Sequence, residues 1–194
     1  WHLEYHMSSI SVKELSHPAG EVIKIAAGKT LDLKSQGTTT LPTGSVLQVV
    51  NATKVDGFLT TSASFVDVGL TATITPTSTT SKILVQFTTI TGNGTAGWTT
   101  WTRLMRGSTP LSVSTAGAGG RNGTTFTITG STAGVAGTGF IHLDSPSTTS
   151  ATTYKLQLAS EGSSVGSLNR RGDGSASNSA DGGSSSITLT EIQG

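Results

Sequence analysis

The stretch Ser186-Ile187-Thr188-Leu189-Thr190-Glu191-Ile192-Gln193-Gly194 decides the fold class. In an extended chain Ile187 and Leu189 fall on one side, and Thr188 and Thr190 on the other. That pattern is a strand with one buried and one wetter face. It runs almost to the last residue, which predicts a C-terminus held in a sheet rather than left to fray. The same period of two recurs upstream. Leu70, Ala72 and Ile74 alternate with Thr71, Thr73 and Thr75, and Ile83, Val85 and Phe87 with Leu84, Gln86 and Thr88. Phe126 and Ile128 alternate with Thr125, Thr127 and Thr129, and Tyr154, Leu156 and Leu158 with Lys155 and Gln157. About nine or ten strands are expected, and no segment carries a helical period.

Composition points the same way. Thr and Ser make up about a third of the chain, and Gly adds 25 residues. Thr is β-branched and suits strands, while Ser and Gly suit turns. Many strands with Gly- and Ser-rich connections indicate an all-β sandwich or jelly roll. Only 12% of residues are charged and the net charge is +1. That is no basic stripe for nucleic acid and not the high charge of a disordered chain. No apolar run approaches the ~18 residues of a membrane span, and no signal-peptide pattern is visible. Neither nucleic acid nor membrane insertion is therefore expected. The chain has no Cys, which fits a cytosolic protein or a particle assembled inside a cell and released later. Residues 1–7, ending in His6-Met7, read as the scar of a cloning site, so His2 and His6 carry no functional weight.

Residues 8–44 differ from the rest. Ile23 and Ile25, Leu31 and Leu33, then Thr39 and Leu41 recur at a spacing of eight, with turn-like Ala26-Ala27-Gly28-Lys29 and Ser35-Gln36-Gly37 between them. Such short rungs cannot bury an apolar face alone. One reading is a plain hairpin followed by an edge strand. The other is a stalk whose rungs are shared between three chains, with Ile23, Ile25, Leu31, Leu33 and Leu41 facing the threefold axis. Leu41-Pro42-Thr43-Gly44 is a turn-like break, after which residues 45–194 form the main domain. Several of its strands carry apolar residues on both faces: Val46 and Val50 against Leu47 and Val49, Leu84 against Val85, Leu104 against Met105. A second apolar face suggests burial against another chain. The expected assembly is a homotrimer.

Three long irregular stretches, 91–97, 112–123 and 159–185, are expected as loops, which at this length are functional or disordered. No enzyme signature holds. Outside the first seven residues the histidines are His17 and His142, and no His pair has metal-ligand spacing. The acids Asp56, Asp67, Asp144, Asp173, Asp181, Glu161 and Glu191 are too scattered to suggest a catalytic pair. No catalytic residue, metal site or cofactor is expected. Asp173 and Asp181 could hold calcium with loop carbonyls, or serve only as turn residues. Arg171-Gly172-Asp173 has the form of an integrin-type tripeptide, a form that Gly-rich loops also reach by chance. Trp98 and Trp101 follow a Gly/Asn-rich loop and begin a strand that ends in Arg103 and Arg106. Aromatic faces stack on sugar rings, so either Trp is a candidate ligand platform or a core residue. The receptor-binding set expected from the loops is Trp98, Trp101, Arg121, Asn122, Asn169, Arg170, Arg171 and Asp173.

Particular stretches carry a family likeness. They are Ser45 to Lys54, Thr61-Ser62-Ala63-Ser64-Phe65-Val66-Asp67-Val68 to Pro76, Ser81-Lys82-Ile83-Leu84-Val85, Phe140-Ile141-His142-Leu143-Asp144-Ser145-Pro146 with Thr153-Tyr154-Lys155, and the terminal strand. Over residues 45–194 the chain resembles the C-terminal, distal domain of bacteriophage tail-fibre proteins, of a type common in marine and cyanobacterial phages. The resemblance implies a homotrimeric, non-catalytic adhesin carried on the virion, assembled in the host cytoplasm beside other tail proteins. It implies binding to a bacterial cell-surface glycan, such as lipopolysaccharide, or to a protein receptor. Two further readings compete: a structural virion protein without a receptor role, and a carbohydrate-binding module of a secreted protein.

Overall fold

The computed structural model describes residues 27–28, 41–115, 123–129, 134–172 and 182–194. The chain divides between Thr40 and Leu41. Ile23, Ile25, Leu31 and Leu33, expected on a stalk axis, lie outside the described residues. Leu41 is described and is exposed.

The described residues contain eleven strands and no helix. The strands are β1 (Val46–Lys54), β2 (Phe58–Thr60), β3 (Val66–Ile74), β4 (Lys82–Asn93), β5 (Thr99–Arg106), β6 (Thr109–Leu111), β7 (Phe126–Thr129), β8 (Gly134–Asp144), β9 (Thr152–Ser160), β10 (Gly166–Leu168) and β11 (Ser185–Ile192). They form two antiparallel sheets, an arrangement consistent with a β-sandwich. In the first sheet β4 is the organiser. Along one edge it pairs with β8 over its whole length. Along the other it pairs with β11 and then β10, which lie end to end. β1 and β2 continue the sheet outside them in the same broken fashion. The second sheet runs β3–β9–β5, with β6 and β7 both on the far edge of β5.

The alternation read from the sequence sets what each sheet buries. Val68, Leu70, Ala72 and Ile74 of β3, with Leu156 and Leu158 of β9 beside them, face Ile83, Val85 and Phe87 of β4 and Ile187 and Leu189 of β11 in one core. Each large side chain taken fully out of water contributes about 1.5–3 kcal/mol before the entropy of ordering it. The expected loops are shorter than their sequence suggested. Residues 91–93 continue β4, and β10 lies inside the Gly/Ser-rich stretch 159–185. β1 also departs from simple alternation. Its register slips between Val46 and Gln48, a bulge that puts one extra residue into the strand. Val46 therefore shares a face with Val49, not with Val50. Met105 is buried on the outward side of β5, so the chain itself covers that part of the doubly apolar pattern.

One end of the sandwich is closed by charge. On the inward side of the first sheet, Gln48, Glu191, Ile83 and Asp144 stand in one cross-strand row. Asp144 accepts a 2.6 Å bond from the Tyr154 hydroxyl and 2.8 Å bonds from Arg106, both on the second sheet. Burial, and then this bond, push the Tyr154 hydroxyl well above its ordinary value, so it stays a neutral donor. Glu191, fully buried, accepts from Gln48 at 2.6 Å and from both the backbone and hydroxyl of Thr77 at 2.7 Å. Thr77 lies on the connection that carries the chain from β3 in one sheet to β4 in the other. Glu191 thus ties the last strand to the first and to that crossover.

Two predictions follow from these acids. Burial raises the Glu191 carboxyl, but hydrogen bonds from its neighbours outweigh it and leave the pKa below its ordinary 4.5. The folded state therefore favours the ionised form. Its contribution is complete above pH 4.5 and is lost as the pH falls through the lower folded value. Urea melts at pH 7 and pH 3 should show a smaller acid loss for Glu191→Gln than for the parent; an equal loss contradicts the assignment. Tyr154→Phe leaves Asp144 bonded to Arg106 alone and should cost about 1–2 kcal/mol.

Candidate functional site

The opposite end carries the loops. There β4 turns into β5 through residues 94–98, and β9 turns into β10 through 161–165. The two turns are tied together from beneath. Gly94 N–H donates to Val165 O at 2.8 Å, and Glu161 N–H donates to Thr99 O at 2.9 Å. The Glu161 carboxylate accepts in return from Thr99 N–H at 2.9 Å. Under them lies a buried polar cluster. Asn93 Oδ1 accepts from Ser164 Oγ and from Thr95 N–H, while its Nδ2 donates to Thr100 Oγ1. Thr100 Oγ1 in turn donates to Gly92 O, and Ser160 Oγ donates to Ser164 O. Asn93, Thr100, Ser160 and Ser164 are all buried. A satisfied network of this kind fixes its loops, because each bond broken there leaves an unsolvated group.

Trp98 stands on this base. It is half-buried, and the edge of its ring is pressed against Gly162, where an added Cβ would fall 1.6 Å from Trp98 Cζ3. Gly162 also holds φ at 54°, so glycine serves twice here. Around it Thr95, Ala96 and Gly97 are exposed. Arg170 and Arg171, both half-exposed, lead into Gly172, which packs against the other side of the same two turns. A Cβ on Gly172 would lie 2.4 Å from Gly94 N and 2.5 Å from Val165 O. Gly172 thus packs on the turns that carry Trp98, while the Arg170 side chain lies against Gly57, between β1 and β2.

The remaining expected site residues separate. Trp101 is not at a loop tip. It lies within β5 on the outward face of the second sheet, paired across strands with Ala159 and Thr127. Asn169 is not a surface group: it is 2% exposed, with φ at 59°. Its Nδ2 donates to Lys54 O at 2.8 Å and Asp56 O at 3.2 Å, and its Oδ1 accepts from Ser185 Oγ at 2.6 Å. These bonds draw β1, β10 and β11 together where the 170–184 excursion leaves the sheet. Asn tolerates a left-handed backbone and offers both donor and acceptor, which explains its place. The sequence carried that signal, an Asn flanked by Leu168 and Arg170, but nothing to say the side chain turned inward. Arg121, Asn122 and Asp173 lie outside the described residues. Among the described residues before and after the first two, Ser114 N–H donates to Thr124 O at 2.9 Å and Gly123 N–H to Ser114 O at 3.1 Å. Asp181 too lies outside the described residues, and among those described no cluster of three His, Cys, Asp or Glu side chains forms.

The outward face of the second sheet is a solvated one. Arg103 donates to Gln157 Oε1 at 2.7 and 3.1 Å and stacks 4.0 Å above the Phe65 ring. Gln157 and Lys155 both donate to Asp67. Burial raises the Asp67 carboxyl, and these two donors more than reverse it.

No family model and no curated protein matches the chain. The site's reading rests on its own geometry.

The role of Asn169 is testable by stability. Asn169→Ala strips three hydrogen bonds from buried backbone and hydroxyl groups and should cost roughly 2–3 kcal/mol. Asn169→Asp, which sets a carboxylate oxygen against the Lys54 and Asp56 carbonyls, should cost at least as much at pH 7. Denaturant midpoints that do not move would place Asn169 outside the clamp.

Proposed function

We propose that this domain is the distal, receptor-binding part of a bacteriophage tail fibre, a non-catalytic adhesin for a bacterial surface glycan such as lipopolysaccharide. The observation that carries the reading is Trp98, its ring edge seated on Gly162 over a buried, hydrogen-bonded base, with Arg170 and Arg171 half-exposed just before Gly172, which packs on the same turns. An aromatic face and guanidinium groups on a rigid frame suit a hydroxyl-rich, partly anionic ligand, and loops on such a frame can vary without disturbing the core. The sequence likeness to phage fibre domains gives the biological setting. The domain would ride on the virion as a homotrimer, joined to other tail proteins and assembled in the host cytoplasm. Each sugar contact is weak, since ligand hydroxyls exchange water for protein bonds of modest net value. Three copies would raise avidity where the geometry allows simultaneous contact.

The test uses the whole chain against a panel of marine bacterial cells and their purified lipopolysaccharides. Parent protein should bind at least one member. Trp98→Ala, and separately Arg170→Ser with Arg171→Ser, should bind roughly tenfold more weakly, the equivalent of one or two lost contacts. Thr73→Ala, far from the site, should bind as the parent does. A parent that binds nothing in the panel, or variants that bind as well as the parent, would overturn the adhesin reading.

A further inference from the structure

The two outward faces of the sandwich differ in kind. The second sheet's outer face is laced with Arg103, Gln157, Asp67 and Lys155. The first sheet's outer face is almost uncharged. Its cross-strand rows, read through the register, are Leu143–Leu84–Thr190–Val49 and Ile141–Gln86–Thr188–Asn51, with Lys82, Ile192 and Val46 in the row beyond. Val46, Val49, Ile141 and Leu143 are each between 55% and 62% exposed. Leu84 and Ile192 lie half-buried between them. Lys82, the one charged residue of these rows, is bonded to Ser145.

The chain covers the other half of this same face with its own backbone. Gly183 lies on Ile90, where an added Cβ would stand 2.0 Å from Ile90 Cδ1, and Arg170 to Gly172 lie over Gly92 and Gly94. The apolar half receives no such cover from the described residues. The strand bordering it is equally unprotected. Among the described residues β8 pairs only with β4, in an unbroken register of eleven residues, and it contains no Lys, Arg or Pro. Open edges are ordinarily guarded by such residues or by bulges.

We propose that the apolar half of this face, Val46, Val49, Leu84, Ile141, Leu143 and Ile192, together with the edge of β8, is the surface through which copies of this chain meet. The chemistry favours a like partner. A patch without charge gives a charged ligand or an anionic glycan nothing to pair with, and the same patch on another copy matches it, neutral against neutral. Its size alone falls short of a stable interface. Four strands ~4.8 Å apart and a few residues at ~3.4 Å project to on the order of 300 Å². A stable interface takes about 800 Å² per partner. The contact must therefore spread onto the bordering edge, where a further copy can also shield the backbone of β8. The number of copies rests on the trimeric reading above; the location does not.

The absence of Cys allows a direct test on the full chain. Leu143→Cys and Thr73→Cys each install a single thiol, on the first and second outer faces. Light scattering should give the parent a multiple of 19.7 kDa. In that assembly the thiol of Leu143→Cys should react with a bulky maleimide at least tenfold more slowly than that of Thr73→Cys. The pair Val49→Glu with Ile141→Glu should yield folded monomers with unchanged circular dichroism, and Val49→Ser should weaken assembly without abolishing it. A parent mass of one chain overturns the proposal, even with the Leu143→Cys thiol protected, since the cover would then be the chain's own. An assembly in which that thiol reacts freely, or which survives both Glu substitutions, also overturns it. Cell binding by Trp98 is read separately, so failure here leaves the adhesin reading standing on its own test.

Discussion

The structure depends on one constraint: a polar group shut inside a sandwich is costly unless it is paired, and most of those among the described residues are paired, Thr91 Oγ1 being left without a hydrogen bond. The interior is apolar only across its middle, where Leu70, Val85, Leu156 and Leu189 meet. At one end the row Gln48–Glu191–Ile83–Asp144 places two acids on either side of a core isoleucine. Each is neutralised or bonded by residues from other elements: Tyr154 and Arg106 for Asp144, Gln48 and Thr77 for Glu191. At the other end Asn93, Thr100, Ser160 and Ser164 replace the apolar core by a chain of hydrogen bonds. Leaving any of these groups unsatisfied costs about 1–3 kcal/mol, a large share of a domain's net stability. The polar ends thus specify which strands lie beside which, while the apolar middle supplies the driving force.

That division also explains the two kinds of surface. The networked end fixes the turns that carry Trp98 and leaves its side chain half-exposed. The closed end brings the first and last strands together, with Gly44 N–H and Gln193 O joined at 2.8 Å. Between them the two outer faces follow opposite rules, one bearing ion pairs and the other bearing Leu and Val. A monomer in water has no use for that second face, and the proposed self-assembly would give it one.

Much of the fold was legible in the residues. Period-two alternation in β3, β4, β9 and β11 identified the inward side chains, because side-chain parity is a local property of an extended chain. The apolar residues on both faces of β1 and β4 likewise pointed to a second surface. What failed was whatever depends on register or on a partner far along the chain. The bulge at Leu47 changes which face Val46 joins, and no local pattern announces it. Asn169 looked like a loop-tip ligand because its neighbours are loop residues; its partners Lys54 and Ser185 are visible only in three dimensions. Asp144 and Glu191 looked like scattered surface acids for the same reason. Of the expected site residues, Trp98 stands on a turn, Arg170 and Arg171 follow β10, and Trp101 sits on a strand face.

The central claim is that the turns around Trp98 are held as firmly as the core. Amide hydrogen exchange on the full chain tests it most directly, since local opening free energies are read residue by residue. The account predicts that Gly94, Thr95, Thr99 and Ser164 exchange as slowly as Val85 and Leu156. Exchange at those four amides many times faster than in the core would mean that the buried network does not hold the turns, and would contradict the account.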